Sequence, residues 1–159
     1  MTQRFILNEV SYFGPGSRSV LPEVVARLGK SKALVVTDAG LVKFGVAAKV
    51  TDILDAAGIA YEVFSDVKPN PTVTNVKNGI AAFKAAGADL LIAIGGGSAI
   101  DTAKAIGIVV NNPEFSDIVS LEGVAPTKNK SVPMVALPTT AGTAAETTIT
   151  YVIIDEEKQ

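Results

Sequence analysis

The chain has 159 residues, 48% of them hydrophobic and 19% charged, with a formal net charge of -2. That length makes one ordinary domain with room for a full apolar core, and the balance supplies neither the basic footprint of a nucleic-acid binder nor the profile of a disordered chain. Cysteine and histidine are both absent, which removes disulfides, thiolate and imidazole metal sites, a cysteine nucleophile and the commonest general base near neutral pH.

The N-terminal "MTQRFILNEVSYFG" lacks the apolar core of a signal peptide, and no run approaches the ~18 apolar residues of a membrane span. The expectation is a soluble, cytoplasmic protein with no membrane or nucleic-acid partner. In chain order, "RFILNEVSYFG" (4–14) reads as an opening strand or hairpin, and "PGSRSVLPEVVARLG" (15–29) as a helix. "KALVVTD" (32–38) is a short β-branched apolar run, the mark of a buried strand, and "AGLVKFGVAAKVTDILDAAG" (39–58) is alanine-rich and long enough for a helix. "IAYEVFS" (59–65) repeats the strand signal.

In "TVTNVKNGIAAFKAAG" (72–87), Val73, Val76, Ile80, Phe83 and Ala86 recur every three or four residues, with Lys77 and Lys84 off that face. A third strand follows at "DLLIAIG" (89–95), a helix in "SAIDTAKAIGIVV" (98–110), and a fourth strand at "VPMVALP" (132–138). The polar, proline-punctuated stretch 111–131 is either a functional loop or a short helix within an excursion. "TTITYVIIDEEKQ" (147–159) reads as a strand running into a charged stop. Two helices end in a glycine followed directly by an apolar strand. Alternating strands and helices of this kind predict an α/β doubly wound domain with a mainly parallel sheet and helices on both faces, a single unit over 1–159.

Ligands of an open parallel sheet collect beyond the carboxyl ends of its strands. Those ends read Asp38 after "LVVT", then Gly95, Gly96, Gly97 and Ser98 after "LIAI", then Thr139 and Thr140 after "VALP". An acid for ribose hydroxyls, bare amides at a helix start for pyrophosphate, and hydroxyl donors suit a nucleotide. Each group also has a plainer use. Ser98 and Asp101 form S-x-x-D, a capping-box variant; Asp38 suits a helix N-cap; Asn70 between two prolines is ordinary turn punctuation; "PTTAGTAAE" (138–146) is a small-residue loop. The G-x-G-x-x-G fingerprint fails at Ile100, so the glycines gain weight only from their companions at the other strand ends.

Taken together and in this order, Asp38, "PNPT", "GGGSAIDTAKA", "SLEG" and "PTTAGTAAE" resemble the N-terminal nucleotide-binding domain of the iron-dependent (group III) alcohol dehydrogenases, over essentially the whole chain. "GGGS" with its aspartate is shared with glycerol dehydrogenases and more loosely with dehydroquinate synthases; "TTAGT" followed by Glu fits the alcohol dehydrogenases better. The resemblance implies NAD as cofactor. Asp38 would hold the adenosine ribose, Asn70 would touch the nucleotide, and Gly96, Gly97 and Ser98 would wrap the pyrophosphate. Thr139, Thr140 and Thr143 would line the nicotinamide-side phosphate, Val152 would lie near the nicotinamide, and Asp101, the helix-start aspartate, would be structural as much as cofactor-directed. A carboxylate at Asp38 repels a 2′-phosphate, favouring NAD over NADP.

Family members continue into a helical domain whose aspartate and three histidines bind Fe²⁺ or Zn²⁺. This chain carries no histidine, so no catalytic or metal residue is assigned to it. The expected function is the NAD(H)-binding part of an oxidoreductase acting on a small aldehyde, alcohol or diol, inactive alone, with a homodimer through the N-terminal strand implied by the family. The rival expectation is a non-catalytic nucleotide-binding or assembly module.

Overall fold

A computed structural model describes residues 9–123 and 125–158. In chain order the elements are α1 (Leu21–Leu28), β1 (Lys32–Val36), α2 (Ala39–Lys43), α3 (Ala48–Ala56), β2 (Ala60–Phe64), α4 (Val73–Ala86), β3 (Leu90–Gly95), α5 (Gly97–Asn111) and β4 (Met134–Pro138). The four strands form one sheet in the order β2-β1-β3-β4, and every pairing is parallel. This is the expected α/β architecture.

Alternation along the strands sorts side chains onto two faces. Leu34 and Val36 of β1 and Leu91 and Ala93 of β3 face α4 and α5, packing with Val76, Phe83, Ile100 and Ile106. Ala33 and Val35 of β1 and Leu90, Ile92 and Ile94 of β3 face the other way, against Leu21, Val25, Val50 and Leu54 of α1 and α3. Burying such a side chain stabilises by roughly 1.5–3 kcal/mol. All six residues of β3 are buried, as a central strand covered by helices on both sides requires.

The amphipathic reading of residues 72–87 holds: Val76 and Phe83 are buried on α4 while Lys77 and Lys84 are exposed. Thr72 caps this helix by accepting from the Asn75 N–H at 3.3 Å, and Gly87, at φ 61, ends it. Two other helical expectations are modified. Residues 39–58 split into two helices, because Gly45 at φ 70 takes the chain out of the helical region. Residues 17–20 form a 3-10 turn before α1, which has proline in its first turn.

The excursion at 111–131 contains two 3-10 turns, Pro113–Phe115 and Ile118–Leu121, whose Ile118 and Leu121 join the α4/α5 core. Its return is organised by Asn112, fully buried at 0% exposure. The Asn112 amide donates to the Ile108 and Asn129 carbonyls, and its oxygen accepts from the Lys128 and Asn129 N–H groups.

Over the described residues 147–158 the expected C-terminal strand does not form: only a single bridge, Ile154 to Thr72, is strand-like. Among the described residues no strand runs beside it, and its polar groups bond instead to the side chains of Asp101 and Lys104 and to the loop before α4. Residues 4–8 of the expected opening strand lie outside the described residues, and 9–14 carry no strand.

Asp89 joins the starts of β1 and β3. Its carboxylate accepts from the Ser31 N–H at 3.1 and 3.0 Å, from the Ser31 hydroxyl at 3.0 Å and from the Lys32 N–H at 3.0 Å. Burial alone raises this carboxyl, and the hydrogen bonds from Lys32 and Ser31 outweigh it, holding it below the usual carboxylate range. A depressed folded-state value contributes stability above the unfolded pKa of about 3.9 and loses it as pH falls through the lower folded value. Asp89→Ala is therefore expected to cost about 2 kcal/mol at pH 7. In urea unfolding, the gap from wild type should stay constant above about pH 5 and close below about pH 4; a gap unchanged at pH 2 contradicts this account.

Candidate functional site: a glycine cradle at the sheet switch point

In the order β2-β1-β3-β4 the chain leaves β1 to one side for β2 and returns on the other side for β3. The ends of β1 and β3 therefore flank the topological switch point, where open α/β sheets bind ligands. Asp38 follows β1, and Gly95, Gly96 and Gly97 join β3 to α5.

Gly95 sits at φ 154, and a Cβ there would lie 2.7 Å from the Ala99 Cβ, 3.6 Å from Leu41 Cδ1 and 4.0 Å from Asp38 Oδ2. The same numbers put the Asp38 carboxylate beside the glycine turn. A Cβ on Gly96 would approach Thr140 Oγ1 to 2.9 Å, and one on Gly97 would stand 3.8 Å from the Thr143 Cβ. The Thr139 N–H donates to the Gly95 carbonyl at 2.9 Å. Gly95 is thus required to be glycine where three strand-end loops converge, and the bare backbone of Gly96 and Gly97 is left open to a ligand.

Asp38 realises the capping use read from sequence. Its Oδ1 accepts from the Leu41 N–H at 2.9 Å and caps α2, while Oδ2 makes no hydrogen bond among the described residues. The capping use of Ser98 is not realised. Gly96 is the N-cap residue of α5, no side chain caps it, and Ser98 lies inside the helix. The first N–H groups of an α-helix have no intrahelical acceptor, so this 15-residue helix presents uncapped donors and the positive end of its dipole to the cleft.

Asp101 has both oxygens engaged. Its Oδ2 accepts from the Val152 N–H at 3.1 Å and its Oδ1 lies 3.6 Å from Lys104 Nζ. Val152 itself is 72% exposed. Asn70, at φ 54, occupies an exposed turn between β2 and α4, and asparagine tolerates that left-handed conformation better than most residues. Its loop is tied to the C-terminal segment, because the Ile154 N–H donates to the Pro71 carbonyl at 2.8 Å and the Val73 N–H to the Ile154 carbonyl at 3.0 Å. The structure thus brings Asp38, Gly96, Gly97, Thr139, Thr140 and Thr143 into one cleft around the start of α5, with Ser98 in its first turn. Asn70 and Val152 lie on segments bordering α4 and α5 respectively.

Sequence reading passed over Lys104 and Thr37. The Thr37 hydroxyl, fully buried at the end of β1, has no hydrogen-bond partner among the described residues; no local pattern marks it. For Lys104 a signal existed: with Asp101 it supplies the only charges of α5, three residues apart on an apolar helix. No group of three or more histidine, cysteine, aspartate or glutamate side chains able to hold a metal comes together among the described residues. None of the described helices is long and apolar enough to cross a membrane.

Residues 8–159 match the family model of the iron-containing alcohol dehydrogenases. Lactaldehyde reductase of Escherichia coli (strain K12) is 60% identical over 159 residues, all of this chain and 42% of that enzyme. An alcohol dehydrogenase from Oenococcus oeni superposes with a TM-score of 0.92 at 38% identity, over 99% of this chain and 41% of the other. A sulfoacetaldehyde reductase from Bifidobacterium kashiwanohense, solved in complex with NAD+, superposes with a TM-score of 0.87 at 28% identity, with the same coverage of 99% and 41%. The chain therefore spans less than half the length of these relatives. Its parallel sheet, its glycine turn at the switch point and these matches agree, and the chain belongs to the iron-containing alcohol dehydrogenases.

Proposed function

We propose that this chain binds NAD(H) across the ends of β1, β3 and β4 and serves as the cofactor-binding domain of an alcohol dehydrogenase that interconverts a small aldehyde, lactaldehyde-like, with its alcohol or diol. One observation carries this: the uncapped α5 N-terminus opens behind a glycine turn in which Gly95 leaves no room for a side chain, beside a carboxylate with one oxygen that makes no hydrogen bond among the described residues. Pyrophosphate fits the amides and the helix dipole, and Asp38 Oδ2 suits a ribose hydroxyl. Thr140 and Thr143 border the same cleft, and the NAD+ complex of the sulfoacetaldehyde reductase supports the cofactor's identity.

When bound, NAD(H) supplies the hydride; this chain orients the dinucleotide and leaves its nicotinamide end to the segment after β4. The metal of the family does not fit the residues here, since there is no histidine and no ligand cluster among the described residues. In this proposal the metal, Fe²⁺ or Zn²⁺, and most of the substrate pocket belong to the length of the relatives that this chain does not span. The cytoplasm is the compartment proposed, and a homodimer the assembly.

Titrating NADH against the full 159-residue chain while following nicotinamide fluorescence tests the reading. Saturable enhancement, competed by NAD+, is expected. A folded sample, judged by circular dichroism, that gives no saturable signal overturns it in favour of an assembly module.

A further inference from the structure

Lys104 lies two turns into α5 from the glycine cradle and takes no part in the path of the phosphates. Its side chain is only 11% exposed and that of Asp101 only 14%. A buried ammonium is costly unless it is paired and hydrogen-bonded, and Lys104 has both kinds of partner. Nζ lies 3.6 Å from Asp101 Oδ1 and donates to Thr148 Oγ1 at 3.1 Å and to the Thr150 carbonyl at 2.8 Å. Asp101 Oδ2 accepts from the Val152 N–H at 3.1 Å. One charged pair on one helix thus grips residues 148, 150 and 152, three alternate positions of the C-terminal segment.

Besides this pair, Tyr151 and Ile153 pack against the core beneath α4 and α5. The segment forms no helix or strand until Ile154 bridges Thr72, and Ile149 and Val152 point large apolar side chains outward at 69% and 72% exposure. A buried ion pair is weak ground for added stability, since apolar residues of similar volume often do as well. What charge and directional hydrogen bonds supply here is geometry: they set where residues 148–152 stand relative to the start of α5. Burial pushes the Lys104 ammonium below the usual lysine range against the opposing pull of Asp101 and Glu146, in keeping with a group held in place for its contacts.

We propose that Asp101 and Lys104 are positioning residues, a two-point clamp that fixes residues 148–152 beside the cradle and so sets the wall met by the nicotinamide end of NAD(H). This rests on the dinucleotide reading above. The clamp acts on the cofactor only through the segment it holds, so its loss should be felt by the nicotinamide and not by the adenosine and diphosphate.

The test uses the full chain with Lys104→Met, which keeps the apolar stem, and Lys104→Arg, which keeps the charge. NADH and ADP-ribose, the same ligand without nicotinamide, are titrated in parallel, and amide hydrogen exchange is followed by mass spectrometry. Lys104→Met is expected to speed exchange across 148–154 about tenfold with α4 unchanged. It is also expected to weaken NADH about tenfold and ADP-ribose less than twofold, while Lys104→Arg retains most of the NADH affinity. Equal loss of both ligands, or unchanged NADH affinity, or unchanged exchange over 148–154, overturns the clamp. Failure of the wild-type chain to bind either ligand overturns the dinucleotide reading itself, and is told apart because it precedes any substitution.

Discussion

Gly95→Ala is expected to lower the stability of the chain by about 3 kcal/mol, through two costs that act at the same atom. The backbone at Gly95 has φ 154, a conformation L-residues rarely adopt and that strains a side chain by about 1–3 kcal/mol. The added methyl would also stand 2.7 Å from the Ala99 Cβ. Ala99 is 2% exposed and has no rotamer with which to yield, so relief requires α5 to move off β3; overpacking of this kind costs about 1–3 kcal/mol. For a domain of this size the sum corresponds to a fall in Tm of about 6–12 °C.

The neighbouring Gly96→Ala provides the control. Gly96 has φ -80, open to any residue, and the atom its methyl would approach, Thr140 Oγ1 at 2.9 Å, belongs to an exposed hydroxyl side chain able to rotate. Its expected cost is below about 1.5 kcal/mol. Urea unfolding of the two variants compares them directly. Equal losses would mean that backbone conformation at Gly95 is not what demands glycine there.

The second large effect concerns selectivity. Asp38→Ser keeps a side-chain oxygen able to cap α2, so unfolding stability should change by less than about 1 kcal/mol. It removes the charge facing the glycine turn. Two unit charges 4 Å apart interact by about 1 kcal/mol in water and about 4 kcal/mol near a protein surface, so losing the carboxylate should relieve the repulsion of a 2′-phosphate by an amount in that range. The preference for NADH over NADPH should fall at least about fivefold, read by parallel fluorescence titrations. If stability is retained and the preference is unchanged, Asp38 does not face the ribose. Serine rather than alanine is the informative choice, because alanine would mix the loss of a cap with the loss of a charge.

The limits of sequence reading follow from the range over which its signals act. Residues 32–36 and 90–95 were recognisable as strands because burial on both faces leaves a continuous apolar run, and α4 because its apolar positions share one face. The split of residues 39–58 was hidden by an alanine-rich stretch that suits a helix throughout except at Gly45, whose left-handed φ is a property of the folded chain. Residues 147–158 have the composition of a strand, yet composition cannot say whether a neighbour is within reach. In the fold, Asp101, Lys104 and the loop at Pro71 claim the polar groups at 148–154 first.

The candidate site divides along the same line. By itself the sequence determined the fold class, the residues standing at the strand ends, and the absence of histidine, because these depend on residue type and on periodicity within about 20 positions. Only the tertiary structure decided that the ends of β1 and β3 are neighbours at a switch point, that Gly96 rather than Ser98 occupies the N-cap of α5, and that Lys104 reaches across 46 residues to Thr150. Those outcomes rest on contacts between segments far apart in the chain, and such contacts leave no local pattern because their energies are settled by three-dimensional packing.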